Sequence, residues 1–162
     1  MTKKLYDLDS HRRDFTAAVL RCDVDGERYA VVLDQTLFFP EGGGQPADTG
    51  CLQVGDQSAQ VLYTYEQEEA ILHLCDQPLP VGSTVEGVLD FERRFANMQI
   101  HSGEHILSGV ILKEMGLHNV GFHMGHEFNT IDLDGEITPQ QARELETKVS
   151  AIICENRPVF VS

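Results

Sequence analysis

Apolar and polar positions alternate in short runs through the first ninety residues, the period expected of strands with one face buried. Residues 15–22 and 28–33 flank Asp25-Gly26, a dipeptide suited to the positive φ of a tight hairpin turn. Residues 59–65 and 70–75 form a second expected pair, around the acidic turn Gln67-Glu68-Glu69. Pro78, Pro80 and Gly82 then interrupt the chain before a strand over 84–90. Several short strands at this spacing predict a small antiparallel β-barrel.

At Phe91 the period changes. From Glu92 to Met115 there is no proline, and Phe95, Met98, Ile106 and Ile111 fall near helical spacing. Gly103 and Gly109 interrupt this helix at about 1 kcal/mol each relative to alanine, which implies a packing or ligand reason for them, and Gly116 is a suitable stop. A second helix carries stronger signals. Thr138 is its expected N-cap, Pro139 its first position and Gln141 its capping-box partner, with Leu145, Val149, Ile152 and Ile153 on one face. Between the helices, 119–125 and 127–133 read as strands. Asn156, Arg157 and Pro158 close the second helix, and 159–162 begins a strand that stops within four residues, as in a piece cut from a longer protein. The fold class is therefore α+β: a small antiparallel β-barrel lobe over 1–90, then an incomplete α+β lobe over 91–162.

Composition narrows the function classes. No run approaches the ~20 apolar residues that cross a bilayer, and the first fifteen residues have no apolar signal core. The expected place is the cytoplasm, with no membrane partner. The four cysteines, Cys22, Cys51, Cys75 and Cys154, include no Cys-x-x-Cys pair, so reduced and mostly buried thiols are expected. A net charge of −14, from 12 Lys and Arg against 26 Asp and Glu, excludes a non-specific phosphate-backbone or DNA binder. A tRNA-directed protein with this balance must concentrate its few cations, or borrow them from a segment outside this sequence.

Three motifs carry candidate chemistry. In the first, His101 and His105 lie one helical turn apart on the same face, where two imidazoles reach one Zn²⁺. Zinc wants four ligands, or three and a water, so the pair alone is half a site. With Glu104 the motif also reads as the inverted zincin signature of a metallopeptidase, the glutamate acting as general base and Glu144 or Glu146 as a third ligand. A glutamate solvating the helix surface is the plainer reading of Glu104. The second motif runs from Thr36 through Phe38, Phe39, Pro40 and Glu41 to Gly42, Gly43, Gly44, Gln45, Pro46, Ala47 and Asp48. Three glycines expose backbone N–H groups to a ligand, or simply build a barrel turn. The polar side chains of Thr36, Gln45 and Asp48 beside them favour a binding loop, and without a Gly-Lys-Ser/Thr ending it is no nucleotide P-loop. The third is Gly121, Phe122, His123, Met124, Gly125 and His126, a strand end whose histidines either line a cleft or add ligands. His11, His73 and His118 are read as structural.

Taken in this order, the glycine motif, then QIHSGEHILSG, then GFHMG resemble the AlaX family of alanyl-tRNA editing proteins and the editing part of alanyl-tRNA synthetase, over nearly the whole chain and most closely in the long form. The resemblance implies a barrel-like lobe bearing the glycine motif and a second lobe of the type shared by threonyl- and alanyl-tRNA synthetases. It implies hydrolysis of the ester joining serine or glycine to tRNA(Ala), in the protein of which this chain is the amino-terminal part. It implies zinc held by His101 and His105 together with a later Cys-x-x-x-His pair; that pair is not in this sequence, since Cys154 has no histidine four residues on, so these 162 residues also read as a non-catalytic binding module with half a metal site. It makes Thr36 and Gln45 walls of the amino-acid pocket, with Gly42, Gly43, Gly44, Asp48 and His123 contributing to substrate binding. A site that hydrogen-bonds a serine hydroxyl rejects alanine by leaving buried donors unpaired. Zinc could polarise the ester, activate water or anchor the substrate's amino group, and Glu104 could act as a catalytic base; the sequence leaves these open.

Overall fold

The computed structural model describes residues 1–125 and 127–159. The chain divides into two compact units, Met1–Asn97 and Met98–Ser162. In the first, β1 (Lys3–Lys4) and a short 3-10 turn precede β2 (Asp14–Asp25), β3 (Arg28–Leu33), β4 (Gln35–Thr36), β5 (Gly50–Val54), β6 (Gln57–Gln67), β7 (Ala70–Cys75) and β8 (Thr84–Leu89). Six of these strands close into a barrel in the order β2-β3-β7-β6-β5-β8, each neighbour antiparallel and β8 returning to β2. Closure removes the exposed strand edges that an open sheet of this size would present. The expected α+β class with a small antiparallel barrel is what the chain adopts.

Alternation explains the filling of the barrel. Along β2, Phe15, Ala17 and Val19 point inward, and along β8 Val85 and Leu89 are buried while Thr84, Glu86 and Val88 face water. Leu33, Leu37, Phe38 and Leu52 complete an apolar interior in which each large side chain contributes roughly 1.5–3 kcal/mol through burial. The hairpins refine the sequence expectations. Asp25 pairs with Arg28, so the β2–β3 turn is Gly26-Glu27, one position beyond the expected Asp25-Gly26, with Gly26 supplying the positive φ. In the β6–β7 turn Gln67 pairs with Ala70, and Glu68 and Glu69 both adopt left-handed φ without a glycine.

Helix α1 (Phe91–Met115) begins in the first unit and continues in the second, which adds β9 (Asn119–Met124), β10 (Asn129–Leu133) and α2 (Pro139–Cys154). The strands β9 and β10 form an antiparallel hairpin, with a bulge at Asp132/Leu133. The α2 start is as its sequence predicts. Thr138 Oγ1 accepts the Gln141 N–H at 3.2 Å and the Gln141 side-chain oxygen accepts the Thr138 N–H at 2.8 Å, closing a capping box before Pro139. Val110, Ile111 and Leu145 form this unit's buried core, with Leu107, Ile131 and Val149 packed on it.

Several expectations fail here for physical reasons. Phe95, read as part of the apolar face of α1, is 41% exposed, and the buried positions from the helix start to just past its middle are Arg94, Asn97 and Glu104 instead. A polar buried stripe is invisible to a search for apolar periodicity. A Cβ built on Gly103 or Gly109 meets open space, so close packing does not explain either glycine. Of the cysteines only Cys75 is buried; Cys22 and Cys51 are half-buried and Cys154 is exposed. Burial pushes the Cys75 thiol up to about 12. The strand expected over 159–162 lies, apart from the exposed Val159, outside the described residues. Among the described residues no helix is long and apolar enough to cross a membrane.

Candidate functional site

The glycine motif belongs to the barrel unit. Gly42 and Gln45 exchange backbone hydrogen bonds of 3.1 and 3.0 Å around Gly43 and Gly44, whose φ values are +59° and +78°. Positive φ at both central positions defines a type I′ turn, which explains Gly43 and Gly44. The turn is anchored to β6, since the Glu41 N–H donates to the Thr64 carbonyl and the Tyr63 hydroxyl donates to the Glu41 carboxylate. Its tip, residues 41–44, is exposed, and Gln45 is buried.

Thr36 and Asp48, the other two polar residues of the motif, are fully engaged inside the protein. Thr36 is buried, and its hydroxyl lies 2.8 Å from His73 Nε2. His73 Nδ1 is 3.0 Å from the Val31 carbonyl, an acceptor, so Nδ1 carries the proton. Burial pulls His73 down to about 4, against the opposing effect of that carbonyl, and the neutral ring therefore offers Nε2 as an acceptor. The chain of donors is then fixed: the Phe38 N–H donates to Thr36 Oγ1, and the Thr36 hydroxyl donates to His73. Thr36 is thus a buried barrel residue engaged with His73, and His73 is structural, as its sequence context suggested.

Asp48 is likewise occupied. Its carboxylate receives Arg94 Nε at 3.0 and 2.8 Å and Arg94 Nη2, together with the Phe39 N–H at 2.7 Å. Arg94 also donates to the carbonyls of Leu37 and Ser10. This buried pair, with each side chain at most 3% exposed, ties the start of α1 to the segment after the glycine turn. These contacts give Asp48 a scaffold role. Sequence reasoning missed Arg94 altogether, because nothing in its neighbourhood marks a partner 46 residues away.

The histidine pair belongs to the second unit. The imidazoles of His101 and His105 stack with centroids 4.9 Å apart and planes 20° from parallel. Ligand atoms of His101, Glu104 and His105 all lie within 4.8 Å of one another, and they are the one such group of three or more among the described residues. Around a tetrahedral zinc, ligand atoms sit ~3.4 Å apart, so a small convergence of the two imidazoles would seat the ion. Glu104 is not the surface glutamate of the plainer reading: it is 8% exposed. Its Oε1 accepts from the Ser108 hydroxyl and from Asn119 Nδ2 at 2.6 Å, and Oε2 lies 3.5 Å from His105 Nδ1. Neither Glu144 nor Glu146 joins this group; Glu144 instead accepts from Gln140 Nε2. Both facts count against the peptidase reading, which wants a glutamate free to take a proton and a later carboxylate on the metal.

Helical spacing puts Arg94, Asn97, His101, Glu104 and Ser108 along one stripe of α1. Asn97 Nδ2 is buried with no hydrogen-bond partner, an unsatisfied donor one turn before His101. On β9, Phe122 lies 6.2 Å from the His101 ring, and with Glu104 it lines a cavity of about 260 Å³. Neighbouring strand residues point to opposite faces, so His123, exposed and paired with Thr130, projects away from the histidine pair. From β9, Asn119 reaches the site through Glu104 and Phe122 through the His101 ring. His126 lies outside the described residues.

Comparison with known proteins agrees with this architecture. Residues 13–93, half of the chain, match the family of class II (A) tRNA synthetases. The chain is 35% identical over 164 residues to the alanyl-tRNA editing protein AlaX-L of Pyrococcus horikoshii, a match covering 99% of this chain and 41% of that protein. It is 37% identical to the alanine–tRNA ligase of Thermococcus kodakarensis, over 98% of this chain and 17% of the ligase, and 42% identical to that of Methanoregula boonei, over 99% and 18%. The chain belongs to the family of alanyl-tRNA synthetases and alanyl-tRNA editing proteins. It spans well under half the length of these relatives.

Proposed function

We propose that this protein hydrolyses the ester bond of tRNA(Ala) wrongly charged with serine or glycine, acting in the cytoplasm as a trans-editing enzyme. The observation that carries the reading is the convergent group of His101, Glu104 and His105 on α1, in a chain 35% identical along 99% of its length to a named alanyl-tRNA editing protein. His101 and His105 would hold zinc, which when bound supplies a Lewis acid for the ester carbonyl or an anchor for the amino group. The chain's own residues supply the rest. The turn of Gly42, Gly43 and Gly44 presents exposed main chain, and Gln45 supplies a side-chain amide able to hydrogen-bond a serine hydroxyl. Discrimination against alanine follows because its methyl side chain cannot make the hydrogen bond that a serine hydroxyl makes.

The test is deacylation of Ser-tRNA(Ala), Gly-tRNA(Ala) and Ala-tRNA(Ala) by the purified protein, before and after chelation and with zinc restored. The reading expects release of serine or glycine well ahead of alanine, lost on chelation and recovered with zinc. Equal release from all three, or none from any at saturating zinc, would overturn it.

A further inference from the structure

The carboxyl group of Glu104 faces two ways. Oε1 is claimed by two donors, the Ser108 hydroxyl one turn further along α1 and Asn119 Nδ2 at 2.6 Å from the first residue of β9. Asn119 Nδ2 also reaches Ser108 Oγ at 3.1 Å, so the three side chains form a closed set. Oε2 is left to face Nδ1 of His105, at 3.5 Å. His105 is otherwise open, with its side chain 72% exposed, so among the described residues Glu104 and the stacked ring of His101 are the neighbours that define its orientation. Burying a carboxylate beside a solvent-facing imidazole is unfavourable unless the carboxylate is hydrogen-bonded, and here two donors from two elements provide those bonds.

We propose that Glu104 is a positioning residue for His105: it holds the proton on Nδ1 and so turns the Nε2 lone pair toward the metal, while Asn119 and Ser108 hold Glu104 in place. The inference rests on the reading that the histidine pair binds zinc. A neutral imidazole carries one N–H and one lone pair, and the partner of one nitrogen decides which atom is free to ligate. A carboxylate oxygen near Nδ1 favours an N–H there over a lone pair. Metal-binding histidines usually have such an outer partner, and its loss weakens metal affinity by about 10–100-fold. In this role Glu104 is neither a ligand nor a base, and Asn119 and Ser108 matter although they touch no metal.

The substitution Glu104→Gln separates these roles. Its amide oxygen must stay with Asn119 and Ser108, both donors, so its NH₂ turns to His105 and donates to Nδ1, which moves the imidazole proton to Nε2. Long-range ¹⁵N–¹H spectra of the metal-free protein read this directly. The proposal expects an Nδ1–H form of His105 in the unaltered protein, an Nε2–H form in Glu104→Gln, and loss of the Nδ1–H preference in Asn119→Ala. Zinc titration against a chromophoric chelator should show affinity about 10–100-fold weaker in Glu104→Gln and Asn119→Ala, with Ser108→Thr close to the unaltered protein and His101→Ala binding far more weakly than any of them. Circular dichroism of each variant confirms an unchanged fold.

An unchanged His105 tautomer in Glu104→Gln overturns the proposal. So does zinc binding abolished in Glu104→Gln as fully as in His101→Ala, which would make Glu104 a ligand. A tautomer switch in a protein that binds no zinc would support the Glu104 contact and overturn the metal reading beneath it.

Discussion

Replacing Asp48 with asparagine removes one charge from a site that water does not reach. In the folded protein its carboxylate meets Arg94 through Nε and Nη2 and accepts the Phe39 N–H, and both charged side chains are almost fully buried. Asparagine keeps the size but offers one acceptor oxygen and an NH₂ group that faces a guanidinium with nothing to accept its bonds. Arg94 would keep the carbonyls of Leu37 and Ser10 while its charge stays buried and uncompensated. Removing one partner of a buried pair costs about 3–5 kcal/mol, a large share of the roughly 5–15 kcal/mol by which such proteins are stable. Urea denaturation followed by circular dichroism, with linear extrapolation to water, measures the loss. The double variant Asp48→Leu with Arg94→Met, which removes both charges, should recover most of it. A loss below about 1 kcal/mol for Asp48→Asn, together with lost deacylation, would refute the scaffold role and return Asp48 to substrate binding.

Other outcomes follow from the same structure. Burial holds the folded-state value of His73 near 4, below its ordinary 6.5, so between these values the unfolded chain binds more protons. Stability should therefore fall as pH drops through 6.5, by up to about 3 kcal/mol near pH 4, and the fall between pH 6.5 and 5 should vanish in His73→Gln when urea midpoints are compared. Asn97→Leu removes a buried donor without a partner and should raise stability by about 1–3 kcal/mol in the same assay; a decrease would show that the amide is satisfied in solution. Gly109→Ala should stabilise α1 by about 0.5–1 kcal/mol, because its Cβ meets open space. If Gly103→Ala stabilises equally yet slows deacylation, a ligand reason accounts for that glycine.

Local chemistry made parts of this fold legible in the sequence. Thr138, Pro139 and Gln141 specify a helix start through bonds within four residues, and the α2 start is found where they place it. The two hairpins were visible because their turns are short and their strands alternate, although Glu68 and Glu69 take left-handed φ with no glycine to announce it. The closed order of the barrel was legible only as a class, since the pairing of β8 with β2 joins strands some seventy residues apart. The site divides in the same way. The placement of His101 and His105 follows from helical spacing, whereas the burial of Glu104 depends on Asn119, and the fate of Asp48 on Arg94, neither of which has a local signature. The bond of Thr36 to His73 had no local signature either, since His73 lies on a strand far along the chain.

The histidine pair is the centre of the account, and the rate of serine release from Ser-tRNA(Ala) at saturating zinc tests it most directly. Compared at equal fold content, the unaltered protein should release serine while His101→Ala and His105→Ala each lose nearly all of that rate. Undiminished release by either variant would contradict the claim that these imidazoles hold the metal on which hydrolysis depends.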